Sequence, residues 1–127
     1  MSKPAFVKFE VSKDQSEKAI EAVTIAKASG KLKRGLNEAT KAIERGVAKI
    51  VIMAEDVTPP EILMHLPVLC EEKEVPFTYV ASKEELGRAS GIEVPTSAIV
   101  IIEEGEAKNL ISEIAASLKS SKKPKEE

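Results

Sequence analysis

The chain predicts an α/β fold in which a mainly parallel or mixed sheet is sandwiched between helices. Helical and extended patterns alternate along its 127 residues. The segment 48–54, AKIVIMA, is a short continuous apolar run, the mark of a central strand covered on both faces. Loops are short, and there is neither an internal repeat nor a domain-scale linker, which points to one αβα unit. A domain near this size buries roughly two-thirds of its unfolded surface, enough for a core without staples.

Each element has its own signal. Ser12 with Gln15 three residues later is a capping box, so a helix follows with Ala19, Ile20, Val23 and Ala26 on one face and ends near Gly30. Residues 31–34 read as a short strand. Gly35 and Leu36 turn the chain, and Asn37 is the candidate N-cap of a helix that carries Ala39, Ala42 and Ile43 inward and stops at Gly46. After the central strand, Thr58-Pro59-Pro60 opens a helix whose path is disturbed at Pro67, where a second helical piece begins and runs through Glu72. Residues 77–80 form another strand. Ser82 and Glu85 make a second capping box for a helix ending around Gly91. Residues 97–102 are the last apolar strand, and a helix from about 106 to 118 follows with Leu110, Ile111, Ile114 and Leu118 as core positions.

Composition excludes several functions. No apolar run approaches the ~20 residues of a membrane helix, and the start, MSKPAFVKFEVSKDQ, lacks the apolar stretch of a signal peptide. The single cysteine, Cys70, allows no intramolecular disulfide, so the cytoplasm is the expected compartment. His65 is the only histidine and stands five residues from Cys70, so no metal cluster is expected, and no cofactor. Neither G-x-G-x-x-G nor a Walker sequence occurs. With no nucleophile–base set, the chain is not expected to be an enzyme.

The charge distribution is the positive signal. Residues 31–49 hold six basic residues (Lys31, Lys33, Arg34, Lys41, Arg45, Lys49) and two acidic ones. That island carries +4 on a chain of formal charge −2, leaving −6 on the remainder. A local basic island on an acidic domain suits a polyanion docked at one defined place. Within it, Asn37, Glu38 and Lys41 admit two readings. One is helix capping with a solvated lysine. The other is recognition: Asn donates and accepts, Glu only accepts and Lys only donates, so together they address both the donor and the acceptor edges of guanine. The segment Gly91-Ile92-Glu93-Val94-Pro95 is similarly open, as a loop partly buried on its own domain or as an apolar cover for an unstacked base. Four aromatics, Phe6, Phe9, Phe77 and Tyr79, are too few for a stacking platform, and Phe77 and Tyr79 suit the core better. The stretch from Glu55 to Glu74 holds six acids and one lysine, a face that repels RNA or meets a basic protein.

The strings RGLNEATKAIERG (34–46), IVIMAEDVTP (50–59), HLPVLCEEKEVPFTYV (65–80) and SKEELGRASGIEVP (82–95) resemble the L7Ae family of archaeal large-subunit ribosomal proteins, over about residues 14–118. The resemblance implies a three-layer αβα sandwich with a four-stranded mixed sheet. It implies binding of kink-turn RNA, a helix–bulge–helix with tandem sheared G·A pairs. Carried over by position, Asn37, Glu38 and Lys41 contact those guanines, and Gly35 lets the backbone approach. Lys33 and Arg34 join them from the basic island, while Ile62, Lys83, Ile92, Glu93 and Val94 form a pocket for the bulged nucleotide. The implied partners are ribosomal RNA, box C/D and box H/ACA guide RNAs, ribonuclease P RNA and guide-particle scaffold proteins, with the free protein a monomer. Residues 1–118 are the expected RNA-binding domain. Residues 119–127 are the expected basic, disordered tail, either a solvated terminus or a second contact with nucleic acid.

Overall fold

The computed structural model describes residues 13–56 and 64–121. Helices and strands alternate in the order α1 (Lys13–Ser29), β1 (Lys31–Arg34), α2 (Leu36–Arg45), β2 (Ile50–Ala54), α3 (His65–Lys73), β3 (Phe77–Val80), α4 (Lys83–Ala89), β4 (Ala98–Glu103) and α5 (Lys108–Ser121). The Ser12 cap and the predicted helix start at 58–60 lie outside the described residues.

The four strands form one mixed sheet in the order β1-β4-β2-β3. β4 runs antiparallel to both β1 and β2, and β2 pairs parallel with β3. Helices α1, α4 and α5 pack together, as do α2 and α3, so the sheet lies inside a three-layer αβα arrangement. This double cover explains the unbroken apolar runs: every residue of β2 and of β3 is buried. Phe77 and Tyr79 are in the core, their rings edge to face with centroids 6.0 Å apart.

Small residues bring α1 close to the sheet. Ala19, Ala22, Val23 and Ala26 are fully buried, while Ile20 is only partly so. Ile111 and Ile114 hold α5 to the core, with Leu110 partly buried beside them. The side chain of Leu118 lies outside the described residues. α5 continues through Ser121, so three residues of the expected tail extend a helix.

Two expectations at helix starts need correcting. α3 does not restart at Pro67: it begins at His65 and takes Pro67 into its first turn, where the missing N–H has no intrahelical acceptor to lose. Asn37 is not the N-cap of α2. Gly35 occupies that position at φ 98° and ψ 160°, Leu36 is the first helical residue, and no side chain caps the helix. The sequence rule that favours Asn at a cap is overridden by a backbone conformation that only glycine adopts readily.

Candidate nucleic-acid interface

The strand directions gather the candidate residues at one end of the sheet. β1, β2 and β3 run the same way and β4 runs against them, so the last residues of the first three lie beside the first residues of β4. Segments 35–38, 55–56, 81–83 and 92–97 all emerge there. Backbone hydrogen bonds tie them: Gly35 N–H donates to the Ala98 carbonyl at 2.7 Å, Ala54 N–H to Ser97 at 3.0 Å, and Thr96 N–H to Lys83 at 3.1 Å. Asp56 Oδ1 accepts the Lys83 N–H at 2.8 Å.

One half of the site is the start of α2. Ala39 N–H donates to the Gly35 carbonyl at 3.0 Å, closing the first helical turn. Ahead of it, the amides of residues 36–38 precede any intrahelical acceptor, and among the described residues no side chain makes a capping bond to the helix start. Asn37 is exposed at the second helical position and its amide is not spent on capping, so the capping reading of this residue is set aside. Glu38 is partly buried and Lys41 exposed, with Lys41 Nζ 4.0 Å from Glu38 Oε2. An exposed pair at this distance contributes about 0–1 kcal/mol, so either group leaves it for a ligand at little cost. Lys33 is exposed on edge strand β1. Arg34 also lies at the surface, but its guanidinium turns back onto Ser90.

The other half is α4 with the loop that follows it. Ser82 caps this helix as its sequence signal predicts, its hydroxyl accepting the Glu85 N–H at 3.1 Å. Lys83, next along, is partly buried. The loop rests its backbone on its own domain and turns side chains outward: Ile92 is partly buried, but Glu93, Val94 and Pro95 are exposed, Val94 by 60%. Gly87 explains this outward set. A Cβ there would stand 2.1 Å from the Val94 carbonyl oxygen, so glycine lets the loop backbone lie flush on the helix. Gly87→Ala should therefore destabilise the fold by about 1–3 kcal/mol, read as a lower urea midpoint; an unchanged midpoint would contradict this packing. Glu84, Arg88, Ile92, Glu93, Val94 and Pro95 line a shallow hollow of about 280 Å³. Ile62 lies outside the described residues.

A second hollow of about 440 Å³ separates α2 from α3, with Asn37 and Glu44 on one wall and His65, Val68 and Glu72 on the other. Among the described residues, no group of three His, Cys, Asp or Glu side chains is placed to hold a metal ion, and no helix is long and apolar enough to cross a membrane.

Sequence reasoning missed Asp56, Arg88 and Ser90. Arg88 follows Glu84 by one helical turn, a spacing that would have placed both beside the loop. Asp56 and Ser90 act across distant stretches of chain and leave no local signal.

Comparison with known proteins gives two findings. The model of a family described as "Ribosomal protein L7Ae/L30e/S12e/Gadd45 family" matches residues 17–111. Among solved structures, the Giardia lamblia 15.5kD RNA binding protein is similar at 35% identity and a TM-score of 0.86, over 94% of this chain and 98% of that one.

Proposed function

Because the chain belongs to the ribosomal protein L7Ae/L30e/S12e/Gadd45 family, we propose that it binds RNA and clamps it in the kink-turn conformation. The observation that carries this reading is the junction of two unlike surfaces at one sheet end. An uncapped, cation-flanked helix start lies beside an apolar loop that projects Val94 into solvent. The first suits paired guanines and nearby phosphate; the second suits a base turned out of its stack.

A sharp RNA bend crowds phosphates. Lys33, Lys41 and the positive end of α2 lower the repulsion there. Glu38 accepts from the guanine N1–H and N2–H donors, Lys41 donates to its acceptors, and Asn37 bridges the two. Ile92 and Val94 cover the bulged nucleotide, with Lys83 and Glu93 at its edges. Free RNA exchanges between straight and bent states, and a protein that binds only the bent one shifts the population to it. The role is binding, not catalysis.

The RNAs of this class are large-subunit ribosomal RNA, box C/D and box H/ACA guide RNAs and ribonuclease P RNA. The loop Ile-Glu-Val-Pro supports the archaeal form of the family, acting in the cytoplasm and monomeric when free. Residues 1–118 serve as the binding domain, and the basic residues beyond it add a diffuse attraction for RNA. The α2–α3 hollow, with Val68 exposed on its wall, suits a guide-particle scaffold protein.

The test is a gel-shift titration with a kink-turn RNA and a straightened RNA of equal length. Strong preference for the first is expected, and equal affinity would overturn the reading. Lys41→Ala should weaken kink-turn binding and reduce the slope of log affinity against log salt by roughly 0.7–0.9, the share of one phosphate contact. An unchanged slope would assign Lys41 to the base edge alone.

A further inference from the structure

We infer that Arg34 is a positioning residue, a brace that sets the distance between the α2 start and the loop after α4, and not a phosphate contact. This rests on the RNA reading above.

Arg34 ends β1, one residue before Gly35, so its backbone sits at the root of the α2 start. Its side chain reaches 56 residues along the sequence. Nε donates to Ser90 Oγ at 3.1 Å, and Nη2 donates to the Ser90 carbonyl. Ser90 is fully buried and is the C-cap of α4. Its hydroxyl donates onward to the Gly87 carbonyl at 2.8 Å. The Ile92 N–H also donates to Gly87, at 3.1 Å, and Gly87 is the residue on which the Val94 carbonyl rests. A chain of short contacts therefore runs from Arg34 through Ser90 and Gly87 to Ile92 and Val94.

The residue type fits a brace. A guanidinium presents its donors in a rigid planar fork, so two bonds to one residue fix direction as well as distance. Its positive charge faces the C-terminal end of α4, where helix carbonyls lack intrahelical partners. Lysine offers the same charge from one flexible point and cannot hold both acceptors in one geometry. Two of the guanidinium nitrogens are thus committed to Ser90 inside the protein.

A charge-preserving substitution separates the two roles. Arg34→Lys keeps attraction for phosphate and loses the brace. The brace predicts that Arg34→Lys lowers kink-turn affinity by about tenfold, the order of one charge-assisted bond, with the salt slope unchanged. It also predicts coupling to the loop. Val94→Ala should cost much less affinity in the Arg34→Lys background than in the wild-type chain, because the loop is already out of place. Without RNA, hydrogen exchange at residues 92–94 should speed up in Arg34→Lys and in the milder Ser90→Ala, while α2 stays protected. Full affinity in Arg34→Lys would overturn the brace, and so would additive losses with Val94→Ala or unaltered exchange in both variants. If the wild-type chain itself showed no preference for kinked RNA, the functional reading would fail first, and this inference with it.

Discussion

Glu38→Ala is expected to lower the preference for RNA carrying the tandem G·A step by roughly 1–3 kcal/mol, about 5- to 150-fold. The expectation comes from a conflict of charge. Glu38 stands in the first turn of α2, within 4.0 Å of Lys41 and among the island's cations. An acid at that position is a liability for general RNA binding, since it repels phosphate. A carboxylate is also acceptor-only, and guanine offers two adjacent donors for it to meet. The two effects have opposite signs. Affinity for G·A RNA should fall, while affinity for an RNA with Watson–Crick pairs at the same positions should hold or rise. Stability is a separate matter: an acid near a helix N-terminus contributes about 0.3–1 kcal/mol, too little to unfold the chain. Titration of both RNAs against both proteins reads the split, and a parallel loss on both would remove Glu38 from base recognition.

Gly35→Ala should act on fold and binding together. Gly35 has φ 98° and ψ 160°, and a Cβ there would meet nothing within 4 Å. Glycine is thus present for its backbone conformation and not for want of room. Forcing an L-residue into that region costs about 1–3 kcal/mol, which appears as a lower urea midpoint at unchanged m-value. The chain escapes the strain only by moving the turn. That loosens the 2.7 Å bond from Gly35 to Ala98 and shifts the α2 start against the loop. The added methyl also points into the open space where RNA would approach. Kink-turn affinity should therefore fall by more than tenfold even at temperatures where the variant is fully folded. An alanine variant with native midpoint and native affinity would show that the turn does not matter.

Features with local causes were legible in the sequence. The capping box at Ser82, the αL glycine at Gly46 and the apolar strand at β2 depend on neighbours within a few residues, and each is where the pattern puts it. The basic island was legible as charge. The start of α2 was misread by two residues, because an asparagine with high cap propensity lay just inside a helix whose entry is set by Gly35. Pro67 was misread as a restart for a similar reason: a helix breaker in mid-pattern is tolerated in a first turn, and the true start was hidden. The exposure of Val94 depends on Gly87, a neighbour in space whose only signal was an absent side chain. The link from Arg34 to Ser90 is longer still in sequence and had no local trace. What joined the two halves of the site was the antiparallel placement of β4 beside β1 and β2, a fact of topology that no local pattern states.

The most direct measurement is end-to-end energy transfer in a kink-turn RNA labelled on both helices, titrated with the full chain in buffer without divalent ions. The account predicts a rise to a high-transfer, bent state that saturates with binding, and no rise for an RNA whose G·A pairs are replaced by Watson–Crick pairs. Binding that leaves the transfer unchanged, or that bends both RNAs alike, would contradict it.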